Sequence, residues 1–453
     1  MTALYYTRGV VLFFVAILAS IGLHELGHMI PAKKFGGKVT QYFIGFGPTV
    51  WSKQVGETEY GVKAVPLGGY VKIVGMLPPE AEELVDSVEI DEQGRRVQRI
   101  RKSNTGLFTQ LISDARAAEW ELVGPDDDDR LFYKLPWWKK VIVMAGGPTV
   151  NLVLAFLLFS AVFMIHGALT TTTRIDQVSD CVIAVTEESL DSDAQQRSCT
   201  DEDPVAPAKE AGLRPGDRVV SFNGTEVTSW DQLTKLIRAN EDGRAVIVVE
   251  RDGREVTTTT NTTVSARPEL GDNPQTVEEV GFLGVVPELV LERQGPGFVV
   301  AEMGRMTWHT VEAIGSLPVK LYHVGRAAIG LEERDRESPM SVVGASRAAG
   351  EMTSNEAFPL GDRLFSVLAL LGGLNLFLGM FNFVPLLPLD GGHIAGALYE
   401  AARRGVAKIF RRPDPGYFDT AKLLPVAYVM AGVIAVMSVV LIYADIVVPV
   451  PLG

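Results

Sequence analysis

The sequence predicts an α-helical integral membrane protein with four transmembrane helices, a membrane-associated β-hairpin region and an extracytoplasmic α+β domain. Three observations predict this fold. Hydrophobic residues make up 47% of the 453 residues although 21% are charged, so long apolar segments must alternate with charged ones. Four apolar runs have the length of about 20 residues that crosses a bilayer core. Between them lie one glycine-punctuated alternating stretch and one stretch with strand and helix patterns.

Composition also excludes some functions. The net charge of −13 and the lack of a dominant basic stripe argue against a nucleic-acid partner. Two cysteines are too few for a disulfide scaffold. The partner that the composition does indicate is a lipid bilayer.

The apolar runs divide the chain into segments. The first run, 9–30, is longer than the apolar core of a signal peptide and is followed by "PAKKFGGK" rather than a cleavage site, so we expect it to be retained. The predicted segments are 1–75 (first span and hairpin), 76–140 (charged cytoplasmic insertion), 141–166 (second span), 178–265 (α+β domain), 266–362 (helical linker), 363–390 (third span), 391–423 (cytoplasmic loop) and 424–448 (fourth span).

Loop charges predict the orientation of the spans. The segments 32–50, 120–140 and 388–423 contain thirteen Lys and Arg residues, whereas the loops at the opposite ends of the spans contain four. Positively charged loops stay in the cytoplasm. The sequence therefore predicts a multi-pass protein of the inner or plasma membrane, with both termini and the α+β domain extracytoplasmic.

Ionisable residues inside the first span indicate a metal site. His24 and His28 are four residues apart, so on a helix they share one face and can bind one zinc ion. Glu25 lies beside them, placed to act on a water at the metal. A catalytic zinc has three protein ligands, and Asp390 is the candidate for the third, because both His24 and Asp390 are expected near the cytoplasmic ends of parallel spans.

Alternative explanations exist for each residue. An HExxH pattern also occurs by chance in soluble proteins, but ionisable residues at membrane depth are costly and usually functional. Asp390 could instead be a helix-terminal carboxylate in the turn before two glycines. His393 could be a further ligand, although three are already supplied. We expect His166, His309 and His323 to be ordinary surface or packing residues.

The motifs resemble those of the site-2 proteases, which are intramembrane zinc metalloproteases, and the match is to the bacterial branch with one PDZ domain. "HELGH" (24–28), "GPTVN" (147–151) and "NFVPLLPLDGG" (382–392) are similar, in order, to the family's HExxH, GPxxN and NxxPxxxLDG motifs. The resemblance implies that His24, His28 and Asp390 bind Zn²⁺, that Glu25 is the general base and that Asn382 positions the substrate. It also implies cleavage of single-pass membrane proteins, namely anti-sigma factors or remnant signal peptides.

The stretch 40–73 has the alternation and glycine punctuation of a β-hairpin. Open strand edges are not tolerated against lipid, so we expect this hairpin to line a protein cavity, where its edge could pair with an extended substrate. An ordinary cytosolic hairpin is the alternative. The segment 76–135 is charged and lacks strong periodicity, and "KLPWWKK" (134–140) is typical of an interfacial anchor.

The α+β domain, 178–265, resembles a PDZ domain in "APAKEAGLRPGDRVVSFNG" and the sequence that follows. Such a domain can bind peptides, but we favour steric exclusion of bulky substrates. Cys181 and Cys199 lie in an oxidising compartment if the orientation is right, so we expect a disulfide between them. A transporter or structural metal protein is the alternative to an enzyme; it would carry ionisable residues on several spans, whereas the second and fourth have essentially none.

Overall fold

The computed structural model describes residues 2–78, 85–90, 96–100, 106–121, 123–124, 127–185, 198–270, 276–335 and 338–450. They form two compact units, one of Met1–Ile165 with Gly295–Gly453 and one of His166–Gln294. We call them the membrane unit and the soluble unit.

The α-helices among the described residues, nine with at least ten residues and one shorter, are as follows. They are α1 (Thr2–Lys34), α2 (Leu107–Trp120), α3 (Trp137–Ser160), α4 (Pro207–Glu210), α5 (Trp230–Ala239), α6 (Pro296–Ala328), α7 (Val342–Ser354), α8 (Leu360–Asn382), α9 (Asp390–Ile409) and α10 (Leu424–Val447). Among the described residues, four helices are long and apolar enough to cross a membrane: Ala3–Lys34, Trp137–His166, Leu360–Asn382 and Thr420–Val447. The four predicted spans all lie within or largely within these helices.

The strands lie in both units. They are β1 (Val39–Val55), β2 (Thr58–Ile73), β3 (Val85–Ile90), β4 (Arg96–Ile100), β5 (Ala168–Val178), β6 (Arg218–Phe222), β7 (Thr225–Glu226), β8 (Arg244–Arg251), β9 (Arg254–Asn261), β10 (Thr263–Pro268), β11 (Val277–Phe282) and β12 (Val285–Glu292).

Two predicted boundaries near the third span are wrong. Helix α8 ends at Asn382 rather than at 390, because Pro385 and Pro388 lack the N–H and the free φ angle that a helix interior needs. The segment 391–423, predicted to be a loop, contains most of α9. Helix α9 has many small residues and two glycines in its first turn, so its sequence does not show a clear helical pattern. As a result Asp390 begins a helix rather than ending one.

The predicted hairpin is a sheet of four strand segments. Residues 41–44 of β1 pair on one side with 59–62 of β2 and on the other side with 69–72 of the same strand. Both strands therefore fold back on themselves, which Gly45 and Gly47 permit because their φ angles are +94° and +82°. The segment 69–73 is an edge of this sheet.

The charged insertion contains more structure than predicted. Strands β3 and β4 pair with each other, and α2 follows. Asp127 of the "DDDD" run is buried, where its carboxylate pairs with Lys38 at 2.6 Å and accepts a hydrogen bond from the Gly124 backbone. Part of the insertion, 79–84, 91–95 and 101–105, lies outside the described residues.

One acidic residue of the fourth span contradicts the expectation that this span is free of ionisable groups. Asp445, near the end of α10, is buried and pairs with Arg334 at 2.6 Å, and its carboxylate also accepts a hydrogen bond from the Ser341 backbone. The pair joins α10 to the segment before α7. The ion pair and this hydrogen bond link two segments of the membrane unit and indicate a structural role rather than a point on a transport path.

The soluble unit is built on an antiparallel sheet in the order β12-β5-β6-β8-β9, with β7 paired to β6. Apolar residues of α5, β6 and β8 form its core. Strands β10, β11 and β12 occupy 263–292, so the predicted domain boundary at 265 and the predicted helical linker from 266 are wrong there. Cys181 and Cys199 are joined as a disulfide, with Cα atoms 5.9 Å apart. Most of the acidic loop between them, 186–197, lies outside the described residues.

Candidate metal centre

Three side chains converge in the membrane unit, from the two motifs that the sequence singled out. The Nε2 atoms of His24 and His28 are 3.2 Å apart, and Oδ2 of Asp390 lies 3.4 Å from the first and 3.3 Å from the second. The histidines share one face of α1, and Asp390 is the first residue of α9. Among the described residues, this is the one group of His, Cys, Asp and Glu side chains whose ligand atoms converge at metal-binding distances.

The triangle of donor atoms fits zinc. A tetrahedral ion with bonds of 2.0–2.1 Å holds its ligand atoms about 3.3–3.4 Å apart, since the edge of a tetrahedron is ~1.6 times the bond length. The three measured distances lie close to that value. Oδ2 of Asp390 is also buried and has no hydrogen-bond donor among the described residues. A buried carboxylate oxygen is costly without a partner, and a cation would supply one.

The backbone of α3 orients the imidazole ring of His28. Its Nδ1 atom lies 2.8 Å from the carbonyl oxygen of Val143 on α3. A carbonyl can only accept, so Nδ1 carries the proton and Nε2 keeps the lone pair that a metal needs. Nδ1 of His24 is buried and has no partner among the described residues. The two histidines are therefore supported unequally.

Glycines of α3 make room for the imidazoles. A Cβ atom at Gly147 would lie 2.2 Å from Nε2 of His28 and 2.7 Å from Nε2 of His24. A Cβ atom at Gly146 would lie 2.0 Å from the carbonyl oxygen of Gly27. Small residues allow such close helix contact in membranes. The metal centre is thus walled on this side by the backbone of α3.

The turn before α9 places Asp390, and it too requires glycine. A Cβ atom at Gly391 would lie 2.2 Å from the carbonyl oxygen of Val384, and one at Gly392 would lie 2.6 Å from the nitrogen of Leu387. The chain therefore folds tightly onto the residues that end α8. The LDGG sequence is needed for backbone contact as well as for its carboxylate.

Glu25 lies beside the three donors without joining them. Its carboxylate lies near the backbone of Val71 on the sheet edge. Its Cγ atom would be 3.0 Å from a Cβ atom at Gly69, so the absence of a side chain there lets the glutamate approach. Glu25 and the donors line the same cavity.

That cavity has a volume of about 430 Å³. The sheet edge contributes Gly68, Gly69, Tyr70 and Val71, and the end of α8 contributes Asn382. His393 lines the cavity but is not part of the three-residue donor group. His309 and His323 lie instead beside Glu312 and Glu332 on and near α6, at 3.4 and 3.0 Å.

Asn151 also lines the cavity, although no role was predicted for it. It is buried, and its Oδ1 atom has no hydrogen-bond partner among the described residues. The signal was present in "GPTVN", because an asparagine in the middle of a membrane span needs a partner. Asn151 and Asn382 thus place two amides on the cavity wall.

Comparison with known proteins gives a family match over most of the chain. The model described as "Peptidase family M50" matches residues 12–411. The zinc metalloprotease Rip1 of Mycobacterium tuberculosis is 35% identical over 456 residues, which cover 99% of each chain. Rip1 of Mycolicibacterium smegmatis is 33% identical over 97% of this chain and 98% of its own. The metalloprotease MmpA of Caulobacter vibrioides is 25% identical over 87% of this chain and 86% of its own.

Proposed function

The chain belongs to peptidase family M50, the site-2 proteases, and is a membrane-embedded zinc metalloendopeptidase, so we propose that it cleaves peptide bonds within the transmembrane segments of single-pass membrane proteins. The comparisons confirm the family, the enzyme class and the zinc cofactor that the sequence predicted. The substrates, the residue roles and the orientation in the membrane are proposals.

The observation that carries the proposal is the triangle of His24, His28 and Asp390. Its edges of 3.2–3.4 Å match one tetrahedral ion. We assign these three residues as the zinc ligands, with the fourth position open to the cavity. Zinc bound there would act as a Lewis acid toward water and toward the scissile carbonyl.

Glu25 is assigned as the general base. It lines the cavity beside the ligands but is not among the converging donors, so its carboxylate is available for proton transfer. It would take a proton from the attacking water and return it to the nitrogen of the leaving amine. The Val71 backbone, which lies near this carboxylate, would help to hold it in place.

The sheet edge supports binding of an extended substrate. The segment 69–73 has β1 on one side, and its residues 69–71 face the cavity. A substrate helix buries its carbonyls in internal hydrogen bonds, so it must unwind before cleavage. Strand addition along this edge would replace the lost hydrogen bonds. Asn382, and also Asn151, would then bond the substrate backbone from the opposite wall.

The charge distribution of the loops supports an orientation with both termini and the soluble unit outside the cytoplasm. The metal centre would then lie toward the cytoplasmic side of the membrane. We propose that the soluble unit is a PDZ domain, His166–Gln294, that excludes substrates with bulky extracytoplasmic parts. Anti-sigma factors already shortened by another protease, and remnant signal peptides, satisfy that requirement.

The test compares zinc content and turnover in variants of Glu25 and of a proposed ligand. Glu25→Gln should retain zinc, measured by elemental analysis, while turnover of a membrane-embedded substrate in liposomes falls by at least the ~10²–10⁴-fold typical of losing a general base. Asp390→Ala should lose both zinc and turnover. Glu356→Gln, an exposed glutamate before α8, is the matched control and should change neither. Normal turnover in Glu25→Gln would exclude this mechanism.

A further inference from the structure

The end of α9 carries a dense cluster of cations that the proposed function does not use. Residues 403–412, "RRGVAKIFRR", contain five Lys and Arg residues and no acidic residue. Three apolar side chains project among them: Val406, Ile409 and Phe410 are 52%, 77% and 67% exposed. We call residues 403–412 the basic tip.

Two of the five cations are engaged inside the protein. Arg403 donates to the carbonyl oxygens of Pro415 and Gly416, at 2.6 and 3.0 Å. Arg404 lies 3.4 Å from the carboxylate of Glu400 and stacks over the ring of Tyr417. These contacts fix the chain that returns from α9 toward α10.

The other three cations face outward. Lys408, Arg411 and Arg412 are exposed, and within the described part of the chain none of them has an acidic partner. The guanidinium of Arg412 lies 6.0 Å from the centre of the Phe410 ring. Exposed cations surrounding exposed aromatic and aliphatic side chains are typical of a surface that meets both lipid headgroups and acyl chains.

The basic tip is a defined helix end rather than a loose tail. The backbone N–H of Arg412 donates to the carbonyl oxygen of Ala407 at 2.8 Å, and that of Arg411 donates to Lys408 at 3.3 Å. Arg411 has a φ angle of +51°. Glycine usually occupies this left-handed position after a helix. Arg411 is therefore more strained there than a glycine would be.

Interfacial residues near the tip indicate that it lies close to the membrane surface. Tyr417, under Arg404, is 5.2 Å from the ammonium of Lys140 in the first turn of α3, next to the exposed Trp137 and Trp138. Aromatic side chains at a span end mark the headgroup level. Lys408 and Ile409 are four and five positions beyond Arg404, ~6–8 Å further along the helix, and the backbone of Arg412 bonds back to Ala407. The headgroup layer is ~5–8 Å thick, and the field of its charges extends ~8 Å into the water. The exposed cations of the tip are therefore within reach of anionic headgroups.

We propose that the basic tip binds the anionic headgroups of the surrounding bilayer, with Ile409 and Phe410 inserted between them. The charge of the three free cations, the exposed apolar side chains among them and their distance from the membrane surface all favour this partner over a nucleic acid. A nucleic acid could stack a base on Phe410, but it would leave the aliphatic side chains of Val406 and Ile409 exposed to water.

This contact would reach the metal centre, a consequence that depends on the proposed function. Helix α9 begins with Asp390 and ends in the basic tip, and it is held at its middle by Glu400, which is buried and pairs with Lys140 at 2.8 Å. Lipid bound at the basic tip would restrict the tilt of α9 and so help to hold Asp390 in position. Turnover should therefore rise with the anionic lipid content.

The binding itself can be tested without catalysis. Gly405, which is exposed and has open space around its Cα, is replaced by Cys and labelled with an environment-sensitive fluorophore; the chain's two cysteines are in the disulfide. Emission is measured in nanodiscs of phosphatidylcholine with and without phosphatidylglycerol, in the Glu25→Gln background. Anionic lipid should shift the emission toward the blue and protect the label from iodide, and high salt should reverse both changes.

Two sets of substitutions test whether the three exposed cations cause the response to anionic lipid. Each cation near an anionic surface is worth roughly five-fold in binding, so Lys408→Gln, Arg411→Gln and Arg412→Gln together should shift the lipid dependence by about 100-fold. Replacing three exposed cations of the soluble unit, Lys235, Arg244 and Arg254, by Gln should leave the lipid dependence unchanged. Equal emission in both nanodiscs would overturn the proposal. A response to single-stranded RNA at physiological salt, without one to anionic lipid, would overturn it in favour of a nucleic acid.

Discussion

Replacing Gly147 with alanine tests the metal centre at the contact between α3 and the two histidines. The new Cβ atom would lie 2.2 Å from Nε2 of His28 and 2.7 Å from Nε2 of His24. Carbon and nitrogen atoms in contact are about 3.5 Å apart, so the His28 ring must move by roughly 1 Å. Metal-ligand distances tolerate about 0.2 Å, so the ligand triangle cannot persist.

The expected result is a loss of zinc without a loss of fold. Changes outside the ligand shell already cost ~10–100-fold in metal affinity, and this change displaces a ligand, so we expect at least a 100-fold decrease. Zinc affinity is measured by competition with a chelator, and folding by thermal unfolding in detergent. The fold should tolerate the change, because the clash is with side chains that can rotate and not with backbone.

Two matched variants complete the design. Gly373→Ala on α8 has open space around the new methyl group and should keep zinc affinity and stability. Gly146→Ala meets the backbone of Gly27 at 2.0 Å, so it should lower stability by separating α1 from α3. Parental zinc affinity in Gly147→Ala would refute the described arrangement of His24 and His28.

Three further predictions concern other parts of the molecule. Lys140→Met leaves the buried Glu400 with Arg404 as its remaining cation, so thermal unfolding should show a loss of about 3 kcal/mol, and adding Glu400→Met should recover most of it. In protein purified without reductant, thiol titration should find no free cysteine, and reduction should release two; two free thiols at the start would contradict both the disulfide and the proposed orientation. Burial raises the pKa of Asp217, but hydrogen bonds from Arg251 and the Arg214 backbone outweigh it and hold that pKa below its ordinary value. The ionised carboxylate therefore stabilises the soluble unit above the ordinary Asp pKa of about 3.9, and this contribution is lost as the pH falls through the lower folded pKa. Asp217→Asn should cost roughly 2 kcal/mol at pH 7 and progressively less below pH 4, measured by hydrogen exchange of the β6 and β8 amides; a difference independent of pH would contradict this.

Much of the candidate site could be predicted because its spacing is local. The four-residue interval between His24 and His28 fixes a shared helix face, and an ionisable group at membrane depth needs a partner. Asp390 could be added because membrane orientation gives a common depth to residues 362 positions apart. The number of spans could be predicted from the length of the four apolar runs.

Features that depend on tertiary contact could not be predicted. Gly147 opens the GPTVN motif, but the motif does not show that the missing side chain makes room for the two histidines. The double pairing of residues 41–44 is invisible to alternation, which reports the two faces of a strand and not its edges. Helix α9 was missed because short residues near Asp390 carry no apolar stripe.

The backbone contact of α1 with α3 restricts how an inhibitor could reach the zinc. Gly146 and Gly147 place the α3 backbone directly against Gly27 and the imidazoles, so this contact cannot open by rotation of a side chain to admit a bulky group. Entry is left to the side bounded by residues 69–71 and Asn382. A slender chelating group attached to an extended peptide backbone suits that entrance, whereas a fused-ring chelator needing space on both sides of the ion does not. Selectivity among inhibitors would then be decided by the segment that follows the chelating group along the sheet edge.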